Sequence, residues 1–141
     1  LPLNAYLNFD GNTREVVHFY AQAFGIADPV IMTFGSMPAD PAHPLPPGTE
    51  DLVMHAKLNI EGSDLMFSDV FPGMMEYKPG NNITISYVTK DEAALRNAFH
   101  KLKEGGSVLM ELQETPWSKC YGQATDKFGI GWQFNLDNGE S

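Results

Sequence analysis

His55 and Lys57 stand two residues apart in a stretch where Val53, His55, Lys57 and Asn59 alternate with Leu52, Met54, Ala56, Leu58 and Ile60. That period of two predicts a strand with one apolar and one largely polar face, and it sets the imidazole and the ammonium roughly 7 Å apart on the polar face. An imidazole beside an ammonium suits a general base near neutral pH. The same pair also fits a polar face in water, or a structural histidine at a subunit seam. Cys120 is the single cysteine. A reactive thiolate needs a cationic or helix-terminal setting and a nearby base, and neighbouring Lys119 points to the other face of an extended strand, so Cys120 reads as structural. Tyr6, Met66, Trp117 and Trp132 supply the apolar and aromatic surface that small-molecule pockets use. Trp132 shares strand parity with Ile130 and Phe134 and is assigned to the core. Trp117 follows Pro116 in a loop, free to close over a cavity or a neighbouring subunit.

The elements that must position these groups come twice. Leu3, Ala5, Leu7 and Phe9 alternate with Asn4, Tyr6 and Asn8, predicting a strand; Asp10-Gly11 turns the chain, and Asn12 with Glu15 signals a helix start. Val16, Phe19, Tyr20 and Ala23 form its apolar stripe and Gly25 its stop. Later, Ile83, Ile85 and Tyr87 alternate with Thr84, Ser86 and Val88. Thr89 and Glu92 then read as a capping box, Leu95, Ala98, Phe99 and Leu102 as a stripe, and Gly105-Gly106 as the end. The repeat lives in pattern, not in letters.

Between the two helices, residues 30–34 read as a strand. Residues 35–51 carry five prolines and two glycines, a composition that holds neither ladder nor helix, and are read as a long loop that includes His43. Residues 61–64 read as a hairpin turn into a strand over 65–69. Further strands are expected near 108–112, 121–125 and 130–136, the last two joined by a turn at 126–129. His18 and His100 fall on helices as surface residues.

At 141 residues the chain has the length of one domain: a first module over about 1–70, a linker over about 71–82 and a second module over about 83–141. The net charge of −9 argues against nucleic acid and against an anionic membrane surface. No apolar run is long enough to span a bilayer. One cysteine and no charged-then-apolar leader point to the cytoplasm.

The order strand-helix-strand-strand-strand, twice, resembles the paired βαβββ modules of the vicinal oxygen chelate superfamily of glyoxalase I, bleomycin-resistance proteins and extradiol dioxygenases. Residues 6–12 (YLNFDGN), His18-Phe19-Tyr20 with Phe24-Gly25, His55-Ala56, residues 62–69 (GSDLMFSD), Gln113 to Trp117, and residues 125–129 (TDKFG) with Trp132 are similar to its PhnB-like branch. The resemblance implies an α+β fold of two βαβββ modules with curled mixed sheets forming a cup-like cavity, and a homodimer.

Metal-dependent members of that superfamily place His, Gln or Glu on inner strand faces. Here the matching positions are Asn4 or Tyr6, Thr84 or Ser86, and Gln133, so the triad is not recognisable. His55 could gain carboxylate company only from Asp69 or Glu111, if the fold brought them close. No cofactor is expected, a divalent metal being the alternative. The expected ligand contacts are Tyr6, Asn8, His55, Lys57, Ser68, Ser86, Glu111, Trp117 and Gln133, with His55 the candidate catalytic base. A small-molecule binding protein without the metal is the preferred reading; the alternative is a metal-dependent lyase, isomerase or dioxygenase acting on a substrate with vicinal oxygens.

Overall fold

The computed structural model describes residues 2–138. Its chain divides into two compact units, one holding residues 26–78 with those up to Ala21, the other holding Gln22–Gly25 with the chain from Pro79 onward.

In the first unit β1 (Ala5–Phe9), α1 (Thr13–Ala23, its last two residues counted with the second unit), β2 (Val30–Thr33), β3 (Val53–Ile60) and β4 (Ser63–Asp69) build a sheet ordered β1-β4-β3-β2. β1 runs parallel to β4, and the other pairs are antiparallel. Phe9, Ala56, Leu58, Leu65 and Phe67 are buried on one face, and Tyr20 of α1 packs on Phe67 with ring centroids 5.8 Å apart. Burying an aromatic side chain of this kind contributes about 1.5–3 kcal/mol, which is why the apolar stripe of α1 fixes the helix to that face and leaves the other bare.

The expected alternation of β3 holds only from His55 onward. The register shifts between Met32 and Thr33, which face His55 and Val53, so a bulge sends Val53 to the covered side, where it is buried. β2 also ends one residue earlier than expected, because Phe34 opens a 3-10 turn at Phe34–Ser36 and packs on Phe71. The β3–β4 hairpin turns on two residues, Glu61 and Gly62, both at positive φ, which suits the strand twist.

The second unit repeats the plan. β5 (Thr84–Thr89), α2 (Glu92–Leu102), β6 (Ser107–Thr115), β7 (Ser118–Thr125) and β8 (Gly131–Leu136) give a sheet ordered β5-β8-β7-β6, with β5 parallel to β8. Leu95, Ala98, Phe99 and Leu102 are buried, and Phe99 meets Phe134 edge-on. The expected capping box at Thr89 is corrected: β5 runs through Thr89, and Asp91 caps α2 by accepting the Ala94 N–H at 3.1 Å. Thr89 instead accepts the Asp91 N–H through its hydroxyl. β6 and β7 are longer than expected and meet in a tight turn at Pro116-Trp117.

The fold is therefore α+β with two βαβββ modules, each a mixed, open, curled sheet whose helix closes one face and whose cup is the other. Among the described residues no helix is long and apolar enough to cross a membrane.

Candidate functional site

The registers of β1-β4-β3 and β5-β8-β7 correspond. His55 of β3 takes the place that Tyr121 has in β7, Lys57 that of Gln123, Met66 that of Gln133, Ser68 that of Asn135 and Tyr6 that of Ser86. The repeat thus extends to the two bare faces, yet their chemistry differs.

In the first unit Tyr6 and Asn8 of β1, Met66 and Ser68 of β4, and His55 and Lys57 of β3 share the bare face by strand parity. The five ligand candidates of this unit, Tyr6, Asn8, His55, Lys57 and Ser68, are therefore brought together. The Tyr6 hydroxyl lies 3.4 Å from His55 Nδ1, with ring centroids 5.9 Å apart, and the Ser68 hydroxyl donates to Asn8 Oδ1 at 3.4 Å. These are long, exposed contacts. Asp69 cannot serve His55. It sits one residue beyond Ser68 on the covered face, 5% exposed, and its two oxygens accept the N–H groups of Thr13 at 3.0 Å and Val53 at 2.8 Å. Asp69 therefore caps the start of α1 and satisfies the β3 bulge.

In the second unit the bare face carries a continuous relay. The Gln123 amide donates to the Tyr121 hydroxyl at 3.1 Å, Tyr121 donates to Gln133 Oε1 at 2.6 Å, and Gln133 Nε2 donates to the Thr84 hydroxyl at 3.0 Å. Ser86 lies beside Gln133 in register, and the Trp117 ring stands edge-on to Tyr121 at 5.4 Å while remaining 59% exposed. Gly131, opposite Thr84, has no side chain, and a Cβ there would meet the Thr84 methyl at 2.9 Å. That gap seats the methyl and leaves the hydroxyl for Gln133. Thr84, Gln123 and Gln133 line a groove of 220 Å³.

Gln133, Ser86 and Trp117 thus gather around the relay. Glu111 does not join them: it lies exposed on the edge strand β6, whose register to β7 shifts three times. Tyr121 and Gln123 were absent from the sequence candidates, although their alternation with buried Gly122 and Ala124 marks them as one face. Asn135, on the same face, keeps its Oδ1 buried with no hydrogen-bond partner.

The donor set does not fit a divalent ion. Among the described residues no three His, Cys, Asp or Glu side chains converge. Both ends of the Gln133 amide are engaged by neutral hydroxyls, and the bare face of the first unit offers one imidazole without a carboxylate.

Two other features stand apart. His43 lies 3.1 Å from Asp40 in the Pro-rich loop, and this hydrogen bond first, then the Ala42 N–H, holds the Asp40 carboxyl below its usual range. Both line a hollow of 450 Å³ walled by Phe34, Met37 and Leu45. Cys120 is 2% exposed, and burial pushes its thiol up despite the opposing pull of Arg96.

Comparison with known proteins gives the same picture. A family model described as 3-demethylubiquinone-9 3-methyltransferase matches residues 3–135. Protein YjdN of Escherichia coli is 32% identical over 96% of this chain and 95% of its own length. Among solved structures, protein PA1353 of Pseudomonas aeruginosa superposes with a TM-score of 0.79 at 34% identity, covering 94% of this chain and 95% of its own. A PhnB protein from Bacillus cereus superposes with a TM-score of 0.70 at 29% identity, covering 97% and 100%. A glyoxylase/bleomycin resistance protein/dioxygenase domain from Frankia shares the fold at 14% identity with a TM-score of 0.62. With the match running through both modules in sequence and in fold, the chain belongs to the PhnB-like family that the family model describes.

Proposed function

We propose that this protein binds a small organic molecule on the bare sheet face of its second unit, without a metal ion, as a cytoplasmic homodimer. The observation that carries this reading is the Gln123–Tyr121–Gln133–Thr84 relay beside the 220 Å³ groove. A polar network anchored on buried Tyr121 and running out to exposed Thr84 at the groove is pre-organised for a guest, and the exposed Trp117 packs on Tyr121 beside it. The bleomycin-resistance type of the superfamily, which sequesters ligands, offers an analogy by fold.

The alternative, a metal-dependent enzyme on a vicinal-oxygen substrate, has less support, since among the described residues no three His, Cys, Asp or Glu side chains converge. Methyl transfer, the activity in the family model's description, lacks support from the connections that would hold a nucleotide-like cofactor. The β1–α1 connection has one glycine, Gly11, and the β5–α2 connection, Lys90-Asp91, has none.

A thermal-shift screen of a fragment library, followed by amide chemical-shift mapping of the hits, tests the reading. A ligand at about a hundred times its Kd adds about 2.7 kcal/mol to the folded state. The expected result is hits that perturb Tyr121, Gln123 and Gln133 and lose their effect in Tyr121→Phe. Hits that all map to the Pro-rich hollow, or a library without a single hit, would overturn it.

A further inference from the structure

We infer that the ligand of the second unit's bare face is uncharged and carries both a hydrogen-bond donor and a carbonyl-type acceptor, groups that a primary amide or lactam supplies. This deepens the reading above and rests on it.

The relay has a direction. Gln123 gives a proton to Tyr121, Tyr121 gives its own to Gln133, and Gln133 gives one to Thr84. The Tyr121 hydroxyl therefore accepts from one side and donates on the other, and each amide is oriented by the hydroxyl it meets. At one end the Gln123 carbonyl is presented as an acceptor; at the other the Thr84 hydroxyl, having accepted from Gln133, presents its hydrogen as a donor. Both ends line the same groove. A complementary guest must supply a donor at the Gln123 end and an acceptor at the Thr84 end. A chain of bonds polarised in one sense strengthens the acceptor and donor at its two tips, which sharpens that preference.

The charge of the guest follows from the lining. Asn81, Thr84, Gln123, Thr125 and Gln133 are among its polar groups and Ile83 and Leu109 among its apolar ones; no ionisable side chain lines the groove among the described residues. An ion entering it would lose water without gaining a counter-charge, a loss that neutral hydrogen bonds offset poorly. The chain's net charge of −9 adds a long-range penalty for anions.

The test uses four probes of one shape: benzamide, acetophenone, benzoate and benzylammonium, titrated into the isotope-labelled full chain while the side-chain amides of Gln123 and Gln133 are followed by NMR. Benzamide is expected to move both amides with a Kd about tenfold below that of acetophenone, the effect of one added hydrogen bond. The two ions are expected to leave them unmoved. Thr84→Val, at an exposed position, should weaken benzamide about tenfold. Gln133→Glu, which places a carboxylate between Tyr121 and Thr84, should bring benzylammonium in. If an ion binds the unmodified face as tightly as benzamide, or acetophenone matches benzamide, the inferred ligand class fails while the binding face stands. If no probe moves any residue of the face, both fail.

Discussion

Single residues decide what each bare face can do. Asp69 shows how misleading residue type is without its surroundings: a carboxylate that the fold could bring to His55 suggests acid-base company, but both its oxygens are taken by buried backbone N–H groups on the covered side. Asp69→Ala is expected to cost about 1–3 kcal/mol for each N–H left unpaired, read as a lowered urea midpoint. Asp69→Asn should recover part of that, since one oxygen remains. At Gly131 the effect is on the site and not on the core. Gly131→Ala pushes a methyl into the space filled by the Thr84 side chain, so the Gln133 and Thr84 resonances should shift and the benzamide affinity fall, with little change in stability. A variant that binds as the parent does would remove Gly131 from the positioning of Thr84.

Among the elements, β6 and α2 differ most from what alternation and capping signals suggest. β6 bulges against β7, and Gly122 makes this possible: a Cβ there would come within 2.9 Å of a Leu112 methyl and 3.0 Å of the Met110 carbonyl. Gly122→Ala is expected to destabilise by about 1–3 kcal/mol through overpacking, with faster amide exchange along β6 as its local signature. The cap of α2 is Asp91 and not Thr89 because the parallel ladder to β8 carries β5 on through Thr89, and Asp91, three residues before Ala94, is the side chain that reaches the free N–H groups of the first turn. Asp91→Ala should cost about 0.5–2 kcal/mol in chemical denaturation, whereas a Glu92→Gln change should cost much less.

At the scale of the whole molecule, pH and oxidants report on packing. Burial first, with the Glu92 carboxylate adding to it, raises the Cys120 thiol above its ordinary 9.0, while Arg96 opposes. The folded chain therefore holds this proton more tightly than the unfolded one. The stability it contributes is complete below pH 9.0 and is lost as pH rises through the folded value. Urea midpoints should fall more steeply above pH 9 for the parent than for Cys120→Ala. The same burial predicts that the thiol resists alkylation in buffer and reacts fully in denaturant.

The sequence by itself determined the doubled βαβββ pattern, the apolar stripes of both helices and the identity of Trp132 and Phe134 as core, because these follow from local period and from the drive to bury apolar surface. It also placed Tyr6 with Asn8 on one face of their strand and His55 with Lys57 on one face of theirs, since parity within a strand needs no partner. Only the tertiary structure decided which polar groups act together. Tyr121 and Gln133 meet because antiparallel β7 and β8 bring Gln123 opposite Gln133, and Thr84 joins because β5 lies on the far side of β8. Asp69 was withdrawn from the site by backbone groups 16 and 56 residues away in the chain. Register, bulges and the pairing of distant donors are properties of strand neighbours, and no single strand's sequence contains its neighbour.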